Sequence, residues 1–103
     1  MSSFVIIIRK GPYGKDDPRN WIGECQIQTL DQAVSDVAEG QVDAEDIHQI
    51  IEIDPVAGTS RDVTELVANK VYDSYDKEGY YPWDKMREWL EYFKLDTDDL
   101  KNR

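Results

Sequence analysis

Positively charged side chains are missing from the middle of this sequence. The forty residues Trp21–Ser60 contain no lysine and no arginine, but they contain nine aspartates or glutamates. Over the whole chain, 22 Asp and Glu stand against 12 Lys and Arg, which gives a net charge of −10. A surface this acidic repels phosphates and attracts basic surfaces, which argues against direct nucleic-acid binding. Two interpretations stay open, recognition of a basic partner and solubility alone.

Cysteine and histidine are almost absent, which argues against zinc sites of the usual kind and against thiol-based catalysis. Cys25 is the single cysteine and His48 the single histidine, so an internal disulfide cannot form and a zinc site lacks its usual ligands. A nucleophilic Cys25–His48 pair is available in principle, but alternation places Cys25 on the inward face of a strand, where an inert thiol is expected. We therefore expect no cofactor, no metal and no enzyme activity.

Long hydrophobic runs are also missing. No apolar segment approaches the roughly 20 residues that a membrane span requires, and no signal peptide surrounds the run SFVIII near the start of the chain. The lone cysteine favours a reducing compartment. These features predict a cytoplasmic protein that does not associate with membranes.

Three segments have patterns typical of β-strands. Phe4–Lys10 is apolar on both alternating faces, which predicts a central strand. Gly11–Asn20, rich in Gly, Pro and Asp, predicts the loop that follows. Trp21–Gln28 alternates like a half-buried strand, and Ile47–Asp54 predicts a third strand that ends at Pro55.

Helical patterns fill the rest of the chain. The first helix begins at Thr29, which has capping-box spacing with Gln32, and ends at Gly40. The second covers residues 57–79, with Thr59 or Asp62 as its cap. The last helix begins near Pro82 and presents an apolar stripe to the core. That stripe consists of Trp83, Met86, Leu90 and Phe93.

The element order ββαβαα predicts an α+β fold. A hairpin followed by a right-handed crossover gives a three-stranded sheet of order 2-1-3, with helices packed on one face. Residues 1–95 are expected to form a single domain, and residues 96–103 a polar C-terminal tail. The predicted core consists of Phe4, Ile6, Ile8, Ile27, Ile51, Ile53, Val67, Val71, Trp83 and Leu90.

Two groups of residues are candidates for binding a partner. The first group is an acidic patch on the first helix and the loop after it. The second group is aromatic and lies on the last helix, where Trp and Tyr side chains exceed the number that one core stripe needs. The predicted partner-binding residues are Asp31, Asp36, Glu39, Asp43, Glu45, Asp46, Trp89 and Tyr92.

The run IIEIDPVAGTSRDVTELVA, Ile50–Ala68, resembles a segment of small phage and prophage proteins and covers under a fifth of the chain. In size, acidity and lack of a catalytic motif, the whole chain is similar to phage anti-CRISPR proteins. That resemblance is one of type rather than of motif, so it assigns a role to no individual residue. It implies a protein that binds a nuclease complex, here a CRISPR effector complex, and blocks its nucleic-acid or partner site.

These observations predict a non-enzymatic inhibitor or binding protein, monomeric or homodimeric, in the cytoplasm of a host cell. Its acidic surface would occupy a basic nucleic-acid-binding site of a protein partner. The alternative is a small structural or accessory interaction domain whose acidity serves only solubility. A small-molecule enzyme is the least favoured of the three.

Overall fold

The computed structural model describes residues 3–9 and 29–101. It has the α+β class predicted from the sequence, with a three-stranded antiparallel sheet and several helices. The strands are β1 (Phe4–Arg9), β2 (Ile47–Asp54) and β3 (Thr59–Asp62). The helices are α1 (Leu30–Ala38), α2 (Thr64–Glu78), α3 (Asp84–Tyr92) and α4 (Thr97–Lys101), and a 3₁₀ turn covers Ala44–Asp46.

The middle strand of the described sheet is β2, which pairs with β1 on one side and with β3 on the other. The predicted order 2-1-3, with Phe4–Lys10 in the middle, is therefore not confirmed. The first and third predicted strands do pair antiparallel, with Ile7 opposite Ile50. Trp21–Gln28, the other predicted neighbour of β1, lies outside the described residues.

A β-bulge decides which side chains of the sheet enter the core. The register between β1 and β2 shifts between Ile8 and Arg9, which makes His48 an extra residue in β2. The shift brings Ile47 onto the same face as Ile50, and both side chains are buried. A strict two-residue alternation would have placed these two isoleucines on opposite faces.

The core lies between this face of the sheet and the four helices. Its largest buried members include Val5, Ile7, Ile50, Val67, Val71, Met86, Leu90 and Leu100. The burial predicted for Val67, Val71 and Leu90 is confirmed, while Trp83 is 37% exposed and not part of the core.

The predicted core face of the sheet was the wrong one. The burial predicted for Ile8 is confirmed, but the side chains of β1 that belong to the cluster facing the helices are those of Val5 and Ile7. The other predicted core residues of the sheet are only half-buried, namely Phe4, Ile6, Ile51 and Ile53. Every position of β1 from Phe4 to Ile8 is apolar, so alternation could not choose between its faces.

Helix α1 has the boundaries that its capping residues predict. Thr29 Oγ1 accepts a hydrogen bond from the Gln32 backbone N–H (3.1 Å), although the Gln32 side chain donates to Asp36 and does not complete the capping box. At the other end, Gly40 has a φ of 82°, and the Gln41 N–H donates to the Asp36 carbonyl (2.9 Å). This is a Schellman ending, which confirms the predicted glycine stop.

The segment before α2 is a strand, where the sequence predicted the start of a helix. Asp54 Oδ1 accepts hydrogen bonds from two backbone N–H groups of the following turn (3.1 and 3.0 Å), and the chain then reverses. Thr59–Asp62 therefore pairs with β2, and Thr59 is not a helix cap. Asp62 does act at the helix start, because its Oδ1 accepts from the Thr64 N–H (2.8 Å).

Thr64 connects the sheet to α2 through its hydroxyl group. Its Oγ1 accepts a hydrogen bond from the Ile50 N–H (2.8 Å) and donates to Asp62 Oδ1 (2.6 Å). Partial burial by itself would raise the pKa of Asp62, but the hydrogen bonds donated by Thr64 and Gln49 outweigh it and lower that pKa below its ordinary value. The ionised form of Asp62 is thus the form that the fold stabilises.

Residues 97–101 form helix α4, within the segment 96–103 that was predicted to be a polar tail. Thr97 and Leu100 of α4 are each 2% exposed, and Leu100 belongs to the core. The Thr97 hydroxyl donates to the Glu91 carboxylate, and the Tyr72 hydroxyl donates to the Asp96 carbonyl (2.7 Å). The folded domain therefore extends beyond residue 95, through α4, which is held by the buried side chains of Leu100 and Thr97 and by these hydrogen bonds.

Candidate functional site

Two of the predicted acidic residues are held in place, Asp36 on α1 and Glu39 at its C-cap. Gln32 Nε2 donates to Asp36 Oδ1 (2.8 Å), and Ser35 Oγ donates to Glu39 Oε2 (2.6 Å). Glu39 is exposed and Asp36 is half-buried. Their three-residue spacing makes them neighbours on the helix, and the hydrogen bonds restrict the direction in which each carboxylate points.

Three more predicted residues lie on the 3₁₀ turn and its N-cap. The Asp43 carbonyl accepts from the Asp46 N–H (2.9 Å), and Ala44 is 2% exposed, so the turn is fixed to the core. The side chains of Asp43, Glu45 and Asp46 are all exposed. An anchored backbone thus presents three carboxylates to the solvent.

Helix α3 has two distinct faces. Met86 and Leu90 are 0% exposed and face the core. A second stripe has the spacing i, i+3, i+4, i+7, which places its members on one side of the helix. This stripe consists of Lys85, Glu88, Trp89 and Tyr92.

The aromatic rings of the second stripe rest on Phe93. The Trp89 and Phe93 rings meet edge-to-face with centroids 5.6 Å apart, and the Tyr92 and Phe93 rings do so at 5.1 Å. Tyr92 is nevertheless 80% exposed. A large ring is therefore presented to solvent from a packed support.

A groove of about 460 Å³ lies between the 3₁₀ turn and α3, and we call it the turn–α3 groove. It brings together Glu45, Trp89 and Tyr92, three of the eight residues predicted to bind a partner. The remaining lining residues are Ala44, Ile47, His48, Thr64, Lys85, Glu88 and Phe93. The acidic and the aromatic candidates, which are some 45 residues apart in sequence, thus meet at one site.

Sequence reasoning missed Glu88, Lys85 and His48 as members of this groove. The helical spacing of Lys85 and Glu88 relative to Trp89 and Tyr92 was a signal that could have found two of them. The position of His48 could not be inferred, because it is the extra residue of the β-bulge.

Asp31 lies at another place on the surface. It lines a shallow depression of about 500 Å³ between α1 and α2, which we call the α1–α2 depression. Lys70 and Lys77 of α2 line the same depression. The structure therefore separates Asp31 from the turn–α3 groove.

Ion pairing leaves the predicted acidic residues unneutralised within the described part of the chain. The ion pairs there join Arg61 to Glu52, Lys85 to Glu88 (3.5 Å) and Arg87 to Asp84. None of them involves Asp31, Asp36, Glu39, Asp43, Glu45 or Asp46. The described lysines and arginines therefore do not neutralise these six carboxylates.

A metal-binding cluster is not found among the described residues. Within residues 3–9 and 29–101, no group of three or more His, Cys, Asp or Glu side chains is arranged to hold a metal ion. Cys25, for which an inert thiol is predicted, lies outside those ranges. None of the described helices has both the length and the apolar character needed to cross a membrane. What the turn–α3 groove offers is aromatic surface beside carboxylates, which is suited to recognition.

Comparison of the chain with protein-family models, with curated proteins and with solved structures gave no match. Functional inference therefore depends on the residues themselves.

Proposed function

We propose that this protein is a non-enzymatic inhibitor that binds a partner protein and occupies its basic, nucleic-acid-binding site. The observation that supports the proposal is a set of six carboxylates on α1, the 3₁₀ turn and its N-cap, five of them exposed. None of the six forms an ion pair with a described lysine or arginine. In its most specific form, the proposal is a phage anti-CRISPR protein that acts on a CRISPR effector complex.

Electrostatics explains why such a surface favours a partner of this kind. Each pair of like charges at neighbouring helix positions lowers the stability of the fold by roughly 0.2–0.5 kcal/mol. A basic partner relieves that repulsion and is steered toward the surface at an enhanced rate. Nucleic acid would add to the repulsion, so the site that is occupied belongs to a protein.

A charge-reversal experiment tests the proposal. Tagged protein is used to retrieve its partner from a host-cell extract, and nucleic-acid binding by that partner is then measured with and without inhibitor. The triple variant Asp43→Lys, Glu45→Lys, Asp46→Lys should lose inhibition, and the affinity of the natural protein should fall as salt increases.

The matched control is the triple variant Glu65→Lys, Asp73→Lys, Glu78→Lys. These three residues are exposed on α2, and either triple moves the net charge from −10 to −4, since each reversal adds two charges. The control should retain inhibition. Equal loss in both triples would mean that total charge, rather than this surface, controls inhibition, and no loss in either would favour the alternative in which acidity serves only solubility.

A further inference from the structure

The turn–α3 groove combines two features that recognise organic cations. Tyr92 presents a ring that is 80% exposed and held in edge-to-face contact with the Phe93 ring. The face of an aromatic ring attracts a cation through the negative charge of its π-system. A supported, exposed ring provides that face without the entropic cost of ordering a free side chain.

Carboxylates border the same aromatic surface. Glu45 enters the groove from the 3₁₀ turn, and Glu88 belongs to the same helical stripe as Tyr92. Lys85 approaches Glu88 at 3.5 Å, but the two side chains are 55% and 68% exposed. Exposed pairs of this kind contribute little, so an incoming cation can compete for Glu88 at small cost.

The chain itself contains an example of this chemistry at another place. The Arg87 guanidinium lies 4.8 Å from the centre of the Tyr81 ring. The same guanidinium donates to the Asp84 carboxylate and to the Pro82 carbonyl (2.7 Å). A guanidinium thus lies over a tyrosine ring and bonds to oxygen acceptors at the same time, which an ammonium group does less well.

We propose that the turn–α3 groove binds an arginine side chain of a partner protein, with its guanidinium over Tyr92 and within reach of Glu45 and Glu88. The inference rests on the proposed function and names the group by which the partner is anchored. The volume of about 460 Å³ lies within the roughly 300–1,000 Å³ range of ligand pockets, so a single side chain and its backbone can enter. A stacked nucleic-acid base is disfavoured, because its phosphates would meet the two carboxylates.

Binding of short peptides tests the assignment directly. Glycine–serine peptides with one central arginine, lysine or glutamine are titrated into the full chain, and ring resonances of Trp89 and Tyr92 are followed by NMR. The arginine peptide should bind more tightly than the lysine peptide, and the glutamine peptide should not bind. Tyr92→Leu should weaken the arginine peptide by about two- to fivefold, because it removes the π-system and keeps an apolar side chain.

Two further variants serve as controls. One tests whether binding needs the Tyr92 hydroxyl group, and the other tests whether any exposed aromatic ring would bind the peptide. Tyr92→Phe keeps the π-face and should retain the binding of the arginine peptide. Tyr80→Leu changes a ring that is 44% exposed but outside the groove, and should have no effect. Because Tyr92 is exposed, its replacement should leave the fold intact, and circular dichroism checks the fold of each variant.

Several outcomes would overturn the inference. One is equal binding of arginine and lysine peptides that Tyr92→Leu leaves unchanged. If the same resonances shift with protein concentration alone, the groove belongs to a contact with a second copy of the chain. If they shift on addition of single-stranded DNA, the groove binds nucleic acid.

The proposed function is tested separately. Inhibition that persists in Tyr92→Leu without arginine binding refutes only the arginine site. Selective arginine binding, together with full inhibition by the variant Asp43→Lys, Glu45→Lys, Asp46→Lys, refutes only the proposed function.

Discussion

The turn–α3 groove and the α1–α2 depression are similar in volume, at about 460 and 500 Å³, and charge does not distinguish them. The groove has two carboxylates and one lysine, and the depression has three carboxylates and two lysines, so each has one negative charge in excess. They differ in their aromatic rings, of which the groove has three and the depression has none among its described lining residues. Acidity is therefore common on this surface, whereas acidity beside aromatic surface marks the candidate site.

The largest effect is expected from a substitution that destabilises the packing of α3, because this helix provides the aromatic side chains that distinguish the groove from the depression. Leu90 is 0% exposed on the core side of that helix. Leu90→Ala should lower the free energy of unfolding by about 2–5 kcal/mol because it leaves a cavity. Urea denaturation measures the change. Ile6→Ala, at a half-buried position on the opposite sheet face, should cost less, and equal costs would mean that Ile6 is packed as closely as Leu90.

A smaller effect is expected at Thr64, which lines the groove and not the depression. Thr64→Val keeps the shape of the side chain but removes the acceptor of the Ile50 N–H (2.8 Å). An unsatisfied backbone donor costs about 1–3 kcal/mol, which thermal or urea unfolding can measure. The control Thr59→Val changes an exposed threonine of β3 and should have little effect. A neutral result for Thr64→Val would mean that water replaces the hydroxyl.

A still smaller effect is expected in the pH dependence of stability, when Asp62→Asn is compared with the natural protein. The lowered pKa of Asp62 means that folding favours its ionised form. The resulting stabilisation is fully present above the unfolded pKa and is lost as the pH falls through the lower, folded pKa. Stability measured from pH 5 downward should therefore decline less steeply in Asp62→Asn than in the natural protein. Parallel curves would show that Asp62 does not contribute to the decline.

The smallest effect is expected from single charge changes that compare the two surfaces directly. Glu45→Lys and Asp31→Lys alter the net charge equally, but only Glu45 lines the groove. The first should weaken the arginine peptide measurably. The second should change its affinity by no more than about 0.5 kcal/mol, as distant surface substitutions usually do. Similar losses would indicate that total charge, rather than the groove, controls binding.

Local signals predicted three helix ends correctly but missed the start of α2, and they predicted strand faces poorly. Thr29, Gly40 and Gly79 occupy the predicted ends of α1 and α2, because capping depends on a few adjacent residues. β3 was missed because Thr59–Asp62 is polar and wholly exposed, so it has no alternation to detect. Leu100 was missed because a single apolar residue in a polar segment has no periodicity.

The candidate site was predictable in its parts but not as a unit. Trp89 and Tyr92 were expected near the surface because their number exceeded what one core stripe needs, and Glu45 was expected in an acidic loop. Their meeting depends on the packing of the 3₁₀ turn against α3 through Ala44, which is buried. Contacts between segments so far apart in sequence leave no local pattern.

The assembly of the groove from distant segments has a thermodynamic consequence. Its lining comes from residues 44–48, from Thr64 at the start of α2 and from residues 85–93, so an isolated α3 peptide does not contain it. A ligand of the groove binds the folded chain and not the unfolded one, and it must raise the melting temperature by mass action. At a concentration one hundred times its dissociation constant, the gain is about 2.7 kcal/mol. A thermal-shift screen can therefore detect ligands of the groove through their effect on unfolding alone, without an activity assay.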